Sequence, residues 1–299
     1  MRVNFVSAFA ADWLASYRLR IKLPREHLKC ETVLSGMPKP DCDVYIFSKH
    51  AEEHQQAIKE VSGLRVFDIC DLHTETWHAD HYLAMIPHAD VITCPTESMR
   101  KAIKDAYGRE SVVVPDPWES EEHQAVAPGR RAVWFGHCSN MDALDHVGCE
   151  RELETFKVVT NLKEQRFGHI QIVPWSAEAQ RESILASNLV FLPTENRQRW
   201  RVKSPNRVLE SMRYGRFVVA GPHIESYAEF APFIWRGEIR EGMLWANSHR
   251  ERALEMVRAG QDYIRSRYSP ERIAEQWFGV FNDQRRADVR QNDARQIAA

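Results

Sequence analysis

Short apolar runs recur along the chain, each ending in a polar or small-residue turn. Val3 to Val6, Asp43 to Lys49, Leu64 to Cys70, Ala89 to Cys94 and Ser111 to Val114 read as strands in the first part. Arg131 to Phe135, His169 to Val173, Asn188 to Leu192 and Phe217 to Ala220 continue the series. Between them lie stretches with helical spacing: Tyr17 to Leu28, the residues after Lys49 up to Glu60, Pro95 to Gly108, Glu178 to Ala186 and Pro205 to Tyr214. Strands alternating with helices indicate parallel βαβ units and doubly wound sheets. Asp142 to Val159 is expected to be mostly helical, and Asn247 to Ser266 a single amphipathic helix with Ala253, Leu254, Val257 and Ile264 on one side. A last helix carries Ile273, Trp277 and Phe281 at i, i+4, i+8, and the polar residues 283–299 are expected to fray.

The pattern lapses once, over 116–130, where Pro and Gly appear without apolar period; that reads as a connection. It divides the chain into a first domain over 1–117, a linker at 118–130 and a second domain over 131–265, followed by a terminal helix at 266–282. The length of 299 residues agrees, since a prior of about 150 residues per domain gives about two. A formal charge of −2 argues against a protein whose affinity rests on a nucleic-acid backbone. No apolar run reaches the roughly 20 residues of a membrane helix, and the start runs into a strand without a signal-peptide pattern. Six cysteines without metal-type spacing read as reduced thiols, so a cytoplasmic protein is expected.

Candidate chemistry concentrates after the strand that ends at Leu192. An arginine-rich loop leads to Lys203-Ser204-Pro205, with Ser204 as expected N-cap and Pro205 at the first helical position. The helix stops at Gly215. A helix start offers free N–H groups and a positive dipole end to phosphate. Lys203 adds a charge there, and Glu210 on the same helix can accept hydrogen bonds from sugar hydroxyls. The chemistry described is that of a nucleoside diphosphate.

Lys203-Ser-Pro-Asn-Arg-Val-Leu-Glu-Ser-Met212, followed by Gly215 and Val218-Val219, resembles the donor-binding segment of GT-B glycosyltransferases that use nucleotide sugars, of the retaining type. The resemblance implies that Lys203 holds the diphosphate, that Ser204, Pro205 and Asn206 at the helix start cradle it, and that Glu210 binds the ribose. Many retaining members carry a second Glu eight residues earlier; here that position is Val202, and Glu195 sits in the same loop at another spacing. Gly136-His137 resembles the loop that approaches the diphosphate, with His137 where the family often has Arg; Arg199 or Arg201 is a candidate replacement. Val173 and Trp175 match the turn beside the nucleotide base, and residues 225–229 match a segment that closes over the donor.

The first part resembles the acceptor-side domain of the same fold, including a Tyr17-Arg-Leu-Arg-Ile opening. Arg18 and Arg20 are candidate contacts for a phosphate or an acidic acceptor, while Arg25 and Lys29 read as a solvated face. Asp71 and His73, at a strand's carboxyl end, can receive an acceptor proton; Asp71 can equally cap a helix and His73 lie on the surface. His73, His78 and His81 with Asp71 and Asp80 match no recognised metal-ligand spacing.

The implied fold is α/β GT-B: two Rossmann-like doubly wound parallel-sheet domains facing each other across a cleft, with the terminal helix crossing back to the first. The implied activity is metal-independent sugar transfer from a UDP- or GDP-sugar, without a cofactor. The acceptor stays open: a glycan, a lipid-linked sugar, a small molecule or a modified nucleic-acid base. The alternatives are a nucleotide-sugar-binding protein or inactive partner subunit, and an epimerase on the same fold.

Overall fold

The computed structural model describes residues 1–48, 51–74, 79–167 and 169–298, and their side chains except those of 167 and 285–298. The chain divides into two compact units, one formed by Met1–Glu119 with Tyr268–Ala299 and the other by Ser120–Arg267.

Unit 1 begins with β1 (Arg2–Val6), from which a loop leads to α1 (Ala15–Tyr17). A π-helical turn, Arg18–Lys22, carries the chain into α2 (Leu23–His27) and then β2 (Glu31–Ser35). There follow β3 (Val44–Phe47), α3 (His54–Glu60), β4 (Leu64–Asp68), α4 (Ala79–Met85), β5 (Val91–Cys94), α5 (Glu97–Tyr107) and β6 (Val112–Val113). The expected end of the third strand at Lys49 lies outside the described residues. These strands form an all-parallel sheet in the order β2-β1-β3-β4-β5-β6. β3 and β5 are buried at every position, as strands covered by helices on both faces must be. α5 shows how local chemistry sets element ends. Thr96 accepts the Met99 N–H at 3.0 Å at its start, and Gly108 turns left-handed at its end (φ 66°).

Unit 2 holds β7 (Arg131–Phe135), β8 (Thr155–Thr160), β9 (Gln165–Phe167), β10 (Ile170–Pro174), α6 (Ala177–Leu185), β11 (Leu189–Leu192), α7 (Gln198–Arg201), α8 (Asn206–Arg213), β12 (Phe217–Ala220), β13 (Trp235–Arg236), α9 (Ile239–Ser248) and α10 (Arg250–Arg267). Its sheet runs β13-β12-β11-β7-β8-β10-β9, parallel except for β9 against β10. The expected helix over 142–159 is replaced by 3₁₀ turns at Cys138–His146 and Glu150–Glu152, and then by β8. Gly148 at φ 64° interrupts helical geometry, and the β-branched run Thr155-Phe-Lys-Val-Val-Thr160 supplies a strand that buries Phe156, Val158, Val159 and Thr160. The expected single helix over 247–266 is two, because His249 leaves helical geometry between α9 and α10 (φ −123°, ψ 46°).

The last helix, α11 (Pro270–Ala298), belongs to unit 1, where Ile273, Ala274, Trp277 and Phe281 join the core. It continues through the residues expected to fray. That stretch lacks Gly and Pro and is dominated by Ala, Arg and Gln, which are good helix formers.

Candidate functional site

In unit 2 the chain advances from β7 through β8 to β10 on one side, then returns to the other side of β7 for β11, β12 and β13. The order in which strands are added therefore reverses between the parallel neighbours β7 and β11, and ligands of open α/β sheets bind outside the carboxyl ends at such a point. β7 delivers Gly136 to Asn140 there, and β11 delivers the loop from Pro193 to Lys203. A hydrogen bond joins the two: Lys203 Nζ donates to Asn140 Oδ1 at 2.6 Å. The same ammonium lies 3.9 Å from the centroid of the Trp200 ring, a buried platform that fixes its position.

Immediately after Lys203 comes the amino end of α8. Pro205 rather than Ser204 occupies the cap position and Asn206 is the first helical residue, one later than expected. The Ser204 hydroxyl still accepts the Asn206 N–H at 3.3 Å. No acidic residue lies in the first turn of α8; the second helical residue is Arg207. A cation placed against the positive end of a helix dipole is unfavourable unless an anion joins it. The Arg207 guanidinium lies 3.4 Å from the Phe135 carbonyl oxygen and 6.0 Å from the Trp134 ring centroid, and no carboxylate pairs with it among the described residues.

Gly136 explains why that position takes no side chain. A Cβ there would lie 3.0 Å from the fully buried Trp134 indole and 3.4 Å from the Arg207 guanidinium. Arg207 thus stands where the Gly136 loop meets α8. Arg199 is exposed on α7, and Arg201, also exposed, bonds Asn196 Oδ1 at 3.0 Å. Arg207 rather than either of these is the arginine at the Gly136 loop. Sequence reading did not single it out, although a cation in a helix's first turn is a signal visible in the sequence.

Other elements converge on the same edge. His137 packs its ring nitrogens against Ser139 (2.9 Å) and Asn161 (3.3 Å), and Asn161 also accepts the Cys138 N–H at 2.8 Å. Trp175, just past β10, donates its indole N–H to Gln180 at 2.8 Å, and Val173 is half-buried beside it. The Ser226 hydroxyl donates to the Lys203 carbonyl at 2.7 Å, which ties the 225–229 segment to the same loop. Glu210 is buried on α8 and acts electrostatically on Arg213. Val202 is buried too; Glu195, also buried, pairs with Arg197 at 2.6 Å.

In unit 1 the strand order reverses between β1 and β3. Arg20, expected to meet a substrate, is 1% exposed and belongs to the core. Its guanidinium reaches Asp68 at 2.6 Å and Asp116 at 3.2 Å, donates to the Val114 carbonyl, and stacks 5.1 Å from the Trp277 ring centroid. Burial works against this charge, but Asp68 and Asp116 outweigh it and raise the guanidinium pKa. Asp68 in turn accepts from Ser48 (3.1 Å) and Thr93 (2.9 Å), so one carboxylate ties the carboxyl ends of β3, β4 and β5. The physical reason for the correction is the π-helical turn, which points Arg20 inward. Arg18 is a partly buried ion pair with Glu119 at 2.6 Å.

Asp71 and His73 follow β4, as expected. Asp71 is exposed, its carbonyl accepting the buried Tyr82 hydroxyl at 2.9 Å, and the His73 ring meets Tyr82 edge-on at 5.6 Å between centroids. His81 contacts Gln55 at 2.6 Å, while His78 lies outside the described residues. Among the described residues no group of three or more His, Cys, Asp or Glu is placed to hold a metal ion, and no helix is long and apolar enough to cross a membrane.

No protein-family model matches the sequence, and no curated protein sequence does. Solved structures do match. A glycosyltransferase from Rickettsia africae ESF-5 superposes with a TM-score of 0.65 at 9% identity, over 95% of this chain and 98% of that one. WaaG, a glycosyltransferase involved in lipopolysaccharide biosynthesis, gives 0.60 at 11% identity, over 92% and 99%. TarM gives 0.62 at 14% identity, over 80% of this chain and 54% of its own, so the chain spans about half of TarM; a variant of the S. aureus protein has been crystallised with UDP, alpha-GlcNAc-glycerol and fondaparinux. At identities this low the likeness is one of fold. The chain has the GT-B glycosyltransferase fold, two α/β units built on doubly wound, largely parallel sheets.

Proposed function

We propose that the protein transfers a sugar from a nucleoside diphosphate donor, bound in unit 2, to an acceptor hydroxyl held by unit 1. The observation that carries this reading is the placement of cations at the amino end of α8. Lys203 and Arg207 flank a helix start that already bears positive partial charge, at the point where β7 and β11 diverge. A diphosphate is the ligand that would compensate the Arg207 charge at the positive end of the helix dipole. Its phosphates would meet the dipole end of α8 and the side chains of Lys203 and Arg207, beside the Gly136–His137 turn. The ribose would lie along α8 toward Glu210, and the base toward Val173 and Trp175.

In the reaction the bond between the anomeric carbon and the diphosphate oxygen breaks, and negative charge grows on the leaving group. Lys203, Arg207 and the helix dipole stabilise that charge, which is the task metals perform in other transferases. A metal-independent reaction follows as part of the proposal. The acceptor hydroxyl forms the new bond to the anomeric carbon and gives up its proton to the Asp71 carboxylate or the His73 imidazole. The UDP in the TarM complex favours a uridine donor, with guanosine the second choice.

Calorimetry against UDP, GDP and ADP tests the reading. One diphosphate is expected to bind, with affinity falling about 10- to 100-fold in Lys203→Ala and in Arg207→Met, since a charge-assisted contact contributes about 1.5–3 kcal/mol. A folded protein that binds none of the three would remove the proposal. Binding with no donor turnover across acceptors would instead favour a binding protein, the reading that the buried Val202 supports.

A further inference from the structure

His223 lies just past β12, at the carboxyl rim of unit 2, and is half-buried. Its backbone N–H donates to the Thr194 hydroxyl at 3.3 Å. Its Nδ1 lies 3.2 Å from the Thr194 carbonyl oxygen and 3.1 Å from the same hydroxyl. A carbonyl only accepts, so Nδ1 carries the ring proton and donates it. The other nitrogen, Nε2, bonds to no group among the described residues. The backbone is shaped for this clasp: a Cβ at Gly221 would lie 2.3 Å from the Thr194 hydroxyl oxygen. A ring held in this way gains or loses its second proton at Nε2.

The strand register places this ring beside the cations of the rim. Leu192 of β11 lies opposite Ala220 of β12, and continuing the register with β7 sets it opposite Phe135. Gly136, Pro193 and Gly221 therefore leave the sheet side by side, about 4.8 Å from one to the next. From Gly221 the chain passes His223 and reaches Ser226, whose hydroxyl donates to the Lys203 carbonyl at 2.7 Å. Next comes the buried Tyr227, on which Arg207 acts electrostatically. One short segment thus carries His223 and borders both cations assigned to the diphosphate. We propose that His223 takes up a proton at Nε2 when a nucleoside diphosphate binds in unit 2, so that donor binding is proton-linked; this rests on the function proposed above.

The neighbouring charges leave that role to His223. On the β11 loop Glu195 and Arg197 pair with each other at 2.6 Å. On the segment itself Glu225 is exposed, and Glu229 accepts the Tyr263 hydroxyl at 2.5 Å. Arg236 of β13 donates to the carbonyls of Pro222 at 2.6 Å and Ile224 at 3.4 Å, and Lys203 stands across the Ser226 bond. None of these pairs with Nε2. His137, on the β7 loop, is the other histidine of the rim, but its Nδ1 accepts the Ser139 N–H at 3.2 Å and its Nε2 faces the Asn161 amide nitrogen at 3.3 Å. A phosphate oxygen near His223 gains a charge-assisted bond once Nε2 is protonated. The complex then holds more protons than the unbound protein, so affinity rises as pH falls from about 8 toward 6.

The test is calorimetry of UDP and GDP binding to the full chain, in buffers of differing ionisation enthalpy, which counts the protons taken up. His223→Asn, whose amide can keep the bond to Thr194, and His223→Gln are the variants, each checked for folding by thermal unfolding. The terminal phosphate of the ligand itself titrates near about pH 6, so the share of the ring is the difference between parent and variant. At pH 7.5 the parent should take up about half a proton more than either variant. Between pH 8 and 6.5 its affinity should rise about three- to tenfold more than theirs. Equal proton uptake in parent and variants overturns the proposal and leaves the donor site standing, as does uptake that disappears in His137→Gln instead. A folded protein that binds neither UDP nor GDP removes the donor site and this linkage together.

Discussion

The two carboxyl rims of this chain are built on the same plan and hold their cations in opposite ways. In unit 1, Arg20 lies in the core between Asp68 and Asp116, and Arg18 and Lys22 are matched by Glu119 and Asp12. In unit 2, Arg207 faces a carbonyl, an indole and a glycine, and Lys203 is steadied by an amide and a second indole. The first rim uses charge to hold strand ends together. The second sets Arg207, which has no carboxylate partner among the described residues, in the first turn of a helix. Positive residues after a strand therefore do not by themselves mark a ligand site; what decides is whether the fold has supplied their counter-ions.

The largest expected effect tests the structural half of that contrast. Arg20→Met leaves Asp68 and Asp116 buried without their cation, and breaking one side of a buried pair costs about 3–5 kcal/mol. Urea unfolding should show that loss, whereas Lys203→Ala and Arg207→Met should stay within about 1 kcal/mol of the parent while losing the diphosphate. Arg20→Met with unchanged stability would mean that the network is not holding the rim.

A smaller effect probes the functional half. Gly136→Ala puts a methyl group against Trp134, which is fully buried, and against Arg207. Overpacking of this kind costs about 1–3 kcal/mol, and the displaced guanidinium should weaken nucleoside diphosphate binding. Thermal unfolding and calorimetry on the same variant separate the two losses. Intact affinity would show that Arg207 does not need its place against Gly136.

Much of this contrast could be read from the sequence, and the part that could not has a physical cause. The alternating apolar runs disclosed both sheets, because parallel strands buried on two faces are continuous in sequence, as in Val44 to Phe47 and Phe217 to Ala220. β2, β9 and β13 were missed since edge strands such as Glu31–Ser35 and Trp235–Arg236 lack that signature, and the interior strand β8 was read as the end of a helix. The Lys203-Ser204-Pro205 helix start and the Gly136 turn stood out because helix starts and tight approaches constrain residue type locally, although the cap falls on Pro205 rather than Ser204. Arg20 and Arg207 were not, since burial and counter-ions come from residues distant in sequence, such as Asp116 for Arg20 and Phe135 for Arg207.

The smallest expected effect lies in proton linkage at the unit 1 rim. His54 is buried; its Nδ1 accepts the Ala51 N–H at 3.2 Å and its Nε2–H donates to the Gly36 carbonyl at 2.7 Å. The ring thereby pins the loops that follow β3 and β2, with Phe47 edge-on at 5.9 Å. Burial lowers its pKa below the ordinary value of 6.5, against the opposing pull of the Gly36 bond and Glu53. A base with a depressed folded pKa leaves the unfolded chain holding more protons. Its contribution is therefore complete above about pH 6.5 and is lost as pH falls from there through the folded value. His54→Gln, which keeps a donor but cannot titrate, should flatten that part of the stability curve between about pH 7 and 5 relative to the parent. Because His54 belongs to unit 1, nucleoside diphosphate affinity in the variant should follow the parent's pH dependence. Parallel stability curves for the two proteins would show that the rim is pinned by something other than this neutral imidazole.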